Sequence, residues 1–374
     1  MCFKSNVLFV GLALMPSILS GCGGGGGNSS GTTPTVITPP VTTPPVVTPG
    51  AYAITAIKAP DAGTFNPTKI NDSGAISGNS AFTGGGSNAF LYRNGQYSQI
   101  SYSNGNPVSD IKSGEAKDTN STNEVVGYLY DSRQKQSAPY AFVYSNGQLT
   151  LLPTVAGSVG SPATALGINQ AGEVVGSESN GVNEYAVAWQ KDASGAYKPS
   201  RLPSLSSYTY SEAYSINQAG QIAGLSAYQY RANAQASLWQ NGTVVGLGYL
   251  PGGTSSAANA INTSGVIAGV SDTPGSSQHA VTWTNGLIKD LGVLSGDLHT
   301  IAYGINDLGI VVGVSDKGDG SQSRAFIFRG GAMIDLNTQI ASDSGWILYS
   351  ASSINNNGQI VGVGNKGGFI LTPK

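Results

Sequence analysis

Two tyrosine-rich stretches carry the side chains best suited to recognition in this 374-residue chain. Tyr208, Tyr210 and Glu212 lie in one, and Tyr228, Tyr230 and Arg231 lie in the other. A tyrosine ring offers an apolar face with a hydroxyl at its edge, which suits stacking on a sugar or a peptide and hydrogen bonding along its rim. Acid–base or metal chemistry would instead draw on the two histidines, His279 and His299, with Asp272, Asp297, Asp316 and Asp319 near them in sequence. No Ser–His–Asp order, His-Glu-x-x-His helix or phosphate loop accompanies that set. Asp316-Lys317-Gly318-Asp319-Gly320 also lacks the alternating oxygen ligands and terminal Glu of a calcium loop. The expectation is a binding module without cofactor or metal. A propeller hydrolase or lyase acting on a glycan through loop carboxylates is the runner-up, and a purely structural surface protein is the third reading.

The N-terminal region addresses the chain to a membrane. Lys4 precedes residues 7–19, an apolar run too short for a comfortable span, and the run ends in Leu19-Ser20-Gly21-Cys22. That ending resembles the bacterial lipobox. The resemblance implies that residues 1–21 are a signal peptide and that Cys22 becomes the acylated first residue, bearing chains such as palmitate. Two or more chains anchor stably where one does not. Gly23 in place of Asp resembles an outer-membrane sorting signal, which implies export and a periplasmic or surface location. Residues 22–50 then form a tether of five glycines and a Thr/Pro-rich stretch that favours extended polyproline II. At about 3.1 Å per residue it reaches roughly 80 Å at most.

Composition narrows the partners of the remaining part, residues 51–374. Across the whole chain eighteen Lys and Arg against twenty Asp and Glu leave a net charge of -2, so no basic field attracts a nucleic acid. Cys2 and Cys22 are the only cysteines, so this region has no disulfide framework and no thiolate site. The 53 Gly and 10% charged residues of the whole chain favour an all-β fold over a helical one.

What must position the tyrosines is a repeat. Ile216-Asn217-Gln218-Ala219-Gly220 has counterparts at Ile70-Asn71, Ile168-Asn169, Ile261-Asn262, Ile305-Asn306 and Ile354-Asn355, with a weaker copy at Thr119-Asn120. Successive asparagines are 49, 49, 48, 45, 44 and 49 residues apart. Asn at the first position and Gly at the fourth suit a tight corner between strands. Short segments such as Val174-Val175-Gly176 follow the corner and are expected to end at their glycine. A third strand such as Ala141-Phe142-Val143-Tyr144 leads to an Asn-Gly turn and a fourth strand. Four antiparallel strands per repeat predict a seven-bladed β-propeller, with an open β-solenoid as the competing architecture. The last unit lacks a fourth strand, and residues 52–57 look like a fourth strand without a unit, so pairing them closes a monomeric ring.

The corner phrase together with Tyr140-Ala141-Phe142, Arg324-Ala325-Phe326 and His279-Ala280-Val281 resembles the HAF-repeat proteins, a group of predicted extracellular bacterial repeat proteins. The resemblance spans nearly everything from Gly50 onward. It is closest from Leu250-Pro251-Gly252-Gly253-Thr254 to Phe328 and departs at Asn120. It implies architecture and location; the family has no agreed activity to lend.

Overall fold

A computed structural model describes residues 50–59, 63–81, 87–100, 111–131, 139–155, 162–228, 233–275, 277–318 and 322–374. The signal peptide, Cys22 and all of the tether but Gly50 lie outside these residues, as do Tyr230, Arg231 and Asp319. The described strands form seven four-stranded antiparallel sheets, each a blade of a closed propeller. Blade 3 is typical, with strands Ala163–Ile168, Val174–Ser179, Glu184–Lys191 and Tyr197–Arg201 from the inner to the outer edge. Among the described residues a short 3-10 turn, Leu336–Gln339, interrupts the all-β pattern. Among the described residues no helix is long and apolar enough to cross a membrane.

The ring closes as the incomplete last repeat requires. Tyr52–Ile57 pairs antiparallel with Gly367–Pro373, with Ile54 opposite Leu371, and so supplies the outer strand of blade 7. Blade 7 therefore takes its outer strand from one end of the propeller and its other three from the opposite end. The pairing covers two edges that would otherwise face water.

Apolar cores lie between neighbouring blades. Val126, Ala141 and Val143 of blade 2 pack with Ala165, Val187 and Trp189 of blade 3, and Ala223 and Ala236 of blade 4 pack with Trp283 and Ile288 of blade 5. One aromatic per third strand fills much of each space, as Phe142, Trp189, Trp283 and Phe326 do without measurable exposure or nearly so. Burying a large side chain of this kind stabilises by about 1.5–3 kcal/mol.

The glycine after each corner does not end its strand, which corrects the sequence expectation. Val174–Ser179 runs through Gly176. A Cβ on Gly176 would sit 1.9 Å from the carbonyl oxygen of Thr164, so the inner strand passes too close for any side chain. Opposite it the inner strand slips register between Ala165 and Gly167. The same shift recurs between Ala213 and Ser215 opposite Gly224, and between Ala302 and Gly304 opposite Gly313. The glycine thus admits a bulge that strengthens the local twist next to the ring axis.

Candidate binding face

The two faces of the disc differ in chemistry. One carries the Asn corners. In each corner the backbone turns through a glycine with positive φ, as at Gly172 (77°) and Gly220 (73°), and in blade 2 through Asn123 at 63°. The Asn side chain serves its own corner and the next blade together. Asn169 Oδ1 accepts from the N–H of Ala171 and of Glu173 at 3.1 and 3.0 Å, while its Nδ2 donates to the carbonyl of Asn217 at 3.2 Å. The same donation runs from Asn71 to Asn120, Asn120 to Asn169, Asn217 to Asn262, Asn262 to Asn306, Asn306 to Asn355 and Asn355 back to Asn71, at 2.6–3.2 Å. The seven structural-turn asparagines therefore form one continuous belt.

A second row reinforces part of that belt. Thr263 N donates to Asp307 Oδ1, Asp307 N to Asn356 Oδ1 and Asn356 N to Asp72 Oδ1, all within 2.9 Å. Partial burial pushes the Asp307 carboxyl up, but donations from Thr263 and Asn356 outweigh it and hold the group below its ordinary range. Inside the belt lies a cavity of about 140 Å³ lined by the isoleucines before the corners and by Lys69 and Asp118. Asp118 is buried there. Burial raises its carboxyl above the ordinary range, against the opposing effects of Lys69 and of N–H donors from Ile168 and Thr119.

The opposite face is formed by the connections from second to third strands and from each blade to the next. Most exposed large apolar side chains are here, among them Val182, Tyr228, Tyr249, Leu298 and Ile347. Tyr208 lies in the connection from blade 3 to blade 4, and Tyr228 follows the second strand of blade 4. Their ring centroids are 4.7 Å apart at an interplanar angle of 31°. Burial, then the neighbouring phenols of Tyr228 and Tyr249, raise the Tyr208 hydroxyl above its ordinary range. Tyr228 and Tyr249 remain 44% and 40% exposed, so each keeps surface for a ligand.

The predicted site residues are only partly brought together. Tyr208 and Tyr228 meet. Tyr210 and Glu212 do not project from a loop, because Tyr210–Ile216 is the inner strand of blade 4. Tyr210 packs half-buried beside Leu225 and Ala227, and buried Glu212 accepts a 2.5 Å hydrogen bond from the Tyr214 hydroxyl. Strand alternation turns these side chains toward the protein, which removes Glu212 as a surface ligand. Tyr249, missed in the sequence, belongs to the same surface. The signal available for it was a tyrosine two residues past the fourth-strand segment Val244-Val245-Gly246-Leu247, in the same class of connection as Tyr208.

The histidines and aspartates lie mostly on strands or at strand ends, not in loops, and are engaged with neighbouring strands and connections. Asp272 accepts from Thr254 N and Ser255 N at 2.7 and 2.8 Å, and Asp316 accepts from Gly318 N at 2.7 Å. His279 Nδ1 lies 2.9 Å from Asp290, and His299 Nδ1 accepts from Gln278 N at 3.0 Å. Asp297 accepts from Ser315 Oγ and pairs with Arg324 at 2.8 Å. Among the described residues no group of three His, Cys, Asp or Glu side chains is placed to share a metal.

No family model and no curated protein matches the chain. Solved structures do. A puromycin-hydrolysing peptidase of Mycobacterium tuberculosis matches with a TM-score of 0.52 at 14% identity, over 80% of this chain and 48% of that one. The chain therefore spans about half the length of that peptidase. A puromycin hydrolase variant in complex with PGG gives 0.53 at 14% identity, over 80% and 50% of the two chains. YCF48 bound to D1 peptide gives 0.51 at 12% identity, over 89% of this chain and all of that one. At these identities the likeness is one of fold.

Proposed function

We propose that the chain is a cell-envelope lipoprotein, held at the outer membrane through acylated Cys22, whose propeller binds a carbohydrate or protein partner on the face opposite the Asn corners. The observation that carries this reading is the contrast between the faces. The corner asparagines and several of their neighbours spend their polar groups on one another. On the other face Tyr208, Tyr228 and Tyr249 gather with two of their rings well exposed. Grouped exposed aromatics on a rigid scaffold are what a binding surface needs. The hydrolase reading is less favoured, since the described His and Asp candidates are engaged in hydrogen bonds and ion pairs that join strands and connections of the propeller itself. Closure of the ring within one chain supports a monomer.

Two measurements test the proposal. Changing Cys22→Ser should remove acyl label and release the protein from the membrane fraction; retention with label would refute the anchor. A glycan and peptide array probed with the chain should give hits that the Tyr208→Ala and Tyr228→Ala variants lose while melting like the parent. Hits unchanged by those variants would move the site elsewhere.

A further inference from the structure

The positions two residues before the corner asparagines form a ring around the axis, and one member departs from the rest. In each corner the Asn N–H bonds the carbonyl four residues on, as from Asn217 to Gln221. The next pair, Ile216 opposite Ile222, is therefore a non-hydrogen-bonded one, and the N–H and C=O of Ile216 turn from their own blade toward the axis. In three blades a side chain of the preceding blade accepts that N–H. Ser353 accepts from Ile70 and Ser215 from Ile261, both at 3.4 Å, and Asp118 accepts from Ile168 at 3.1 Å. Gly167, Ala260 and Gly304 have no polar side-chain atom to offer Ile216, Ile305 and Ile354. Lys69 breaks the pattern. Its ammonium can only donate, so the N–H of Thr119 turns instead to Asp118 of its own blade, at 2.8 Å.

Lys69 and Asp118 line the axial cavity of about 140 Å³ inside the belt. Asp118 is buried and Lys69 half-buried, and among the described residues the Lys69 ammonium makes no hydrogen bond or ion pair, with Asp118 included. The side chains of Ile70, Ile168 and Ile261 run into the cores between blades, so their backbones form the wall. Every residue from two before to three after each corner Asn is among those described.

We infer that this cavity binds a small zwitterion, a free α-amino acid, with its carboxylate against Lys69 and the inward N–H groups and its ammonium against Asp118 and the inward carbonyls. Size sets the first limit. A cavity of about 150 Å³ accepts a benzene ring, so this one takes a molecule of about six non-hydrogen atoms, and oligosaccharides and peptides are too large. Charge sets the second. Asp72 and Asp307 are exposed at the mouth, so with Asp118 three carboxylates face one ammonium. A small anion would meet those carboxylates and a small cation would meet Lys69, whereas a zwitterion offers each a counter-charge. Water would satisfy the backbone groups alone. It gives no reason for a lysine where serine serves two other blades, at the expense of a partner for Thr119. The site is separate from the tyrosine group, on the other side of the disc.

Calorimetric titration of the full chain in detergent tests this with glycine, alanine and serine, against acetate, methylamine and tryptophan. At least one of the three small amino acids should bind. Acetate, which lacks the ammonium, and methylamine, which lacks the carboxylate, should each bind about tenfold more weakly or worse, and tryptophan should not fit. Lys69→Met, which keeps the length and removes the charge, and Asp118→Asn, which keeps the shape, should each weaken binding by about tenfold, with melting followed alongside. Should Asp118→Asn fail to fold, Lys69→Met decides by itself. Failure of all three small amino acids to bind, or binding indifferent to Lys69→Met, overturns the inference. Acetate or methylamine binding as tightly as the best amino acid overturns it in favour of a site for a single charge, and tryptophan doing so places the ligand outside the cavity.

Discussion

The Nδ2 of Asn355 donates to the carbonyl oxygen of Asn71 at 2.9 Å, across 284 positions of sequence. This hydrogen bond joins blade 7 to blade 1 in the same way that each earlier blade is joined to its successor. It complements the strand pairing of Tyr52–Ile57 with Gly367–Pro373, which closes the ring within blade 7. The closure therefore has two independent parts, one at the rim and one beside the axis.

Removing one belt residue should cost more than one surface hydrogen bond. Asn217 accepts from Ala219 N and Gln221 N and donates to Asn262 O and Gln221 Oε1. Asn217→Ala leaves buried partners unpaired and should destabilise by about 1–3 kcal/mol. Asn217→Asp keeps the accepting oxygen but turns a second oxygen toward two acceptors. It should be the worse variant at neutral pH, and urea unfolding at pH 4 and pH 7 should show the gap narrowing in acid, where a protonated carboxyl can donate.

Asp118 makes stability depend on pH with a definite sign. Its carboxyl is raised above the ordinary value of 3.8, chiefly by burial, so the folded state binds the proton more tightly than the unfolded chain. Its contribution is fully present below pH 3.8 and is lost as pH rises through the folded value. Melting temperatures of the parent and Asp118→Asn from pH 3 to pH 8 should show the parent losing ground to the variant with rising pH. A constant difference would contradict this.

The tryptophans of the third strands are not equivalent. Trp189 and Trp239 donate through Nε1 to the carbonyls of Pro153 and Pro203 at 2.6 Å, whereas the buried Nε1 of Trp283 has no partner among the described residues. At the matching place Gly248 has φ of 72°, and its carbonyl accepts from Ser256 Oγ. Replacement by Phe loses packing at all three sites but orphans a carbonyl only at the first two. Trp283→Phe should therefore be milder than Trp189→Phe by about 1–3 kcal/mol in chemical unfolding.

Two glycines of the repeat should respond differently to one methyl group. At Gly313 a Cβ would lie 1.9 Å from the carbonyl oxygen of Ile301, so Gly313→Ala must push two strands apart and should prevent normal folding. At Gly220 the space is open and only the positive φ objects. Gly220→Ala should cost about 1 kcal/mol in the same assay.

Much of this architecture was readable because it is local. The corner needs Asn and Gly three residues apart, and the closing strand announces itself through a last repeat with no fourth strand. The belt was not readable, because each Nδ2 finds a backbone carbonyl, which any residue would supply, and only the folded ring brings it near. The tyrosine group was legible in half. Tyr208 and Tyr228 stand out by composition, but the stretch that follows Tyr208 looks like a loop when it is an inner strand, so the sequence pattern points Tyr210 and Glu212 to the wrong side of the surface. Tyr249 stands alone in sequence and gains meaning only from its neighbours.

The belt also bears on how such a chain could arise and change. A link from Asn side chain to Asn backbone carries no mark of which unit follows, so a duplicated or exchanged repeat already fits its new neighbours near the axis. Variation is then free to collect in the connections on the far side, where Tyr208, Tyr228 and Tyr249 occur once each. Copying builds the wheel, and divergence on that face can proceed without renegotiating how its parts join.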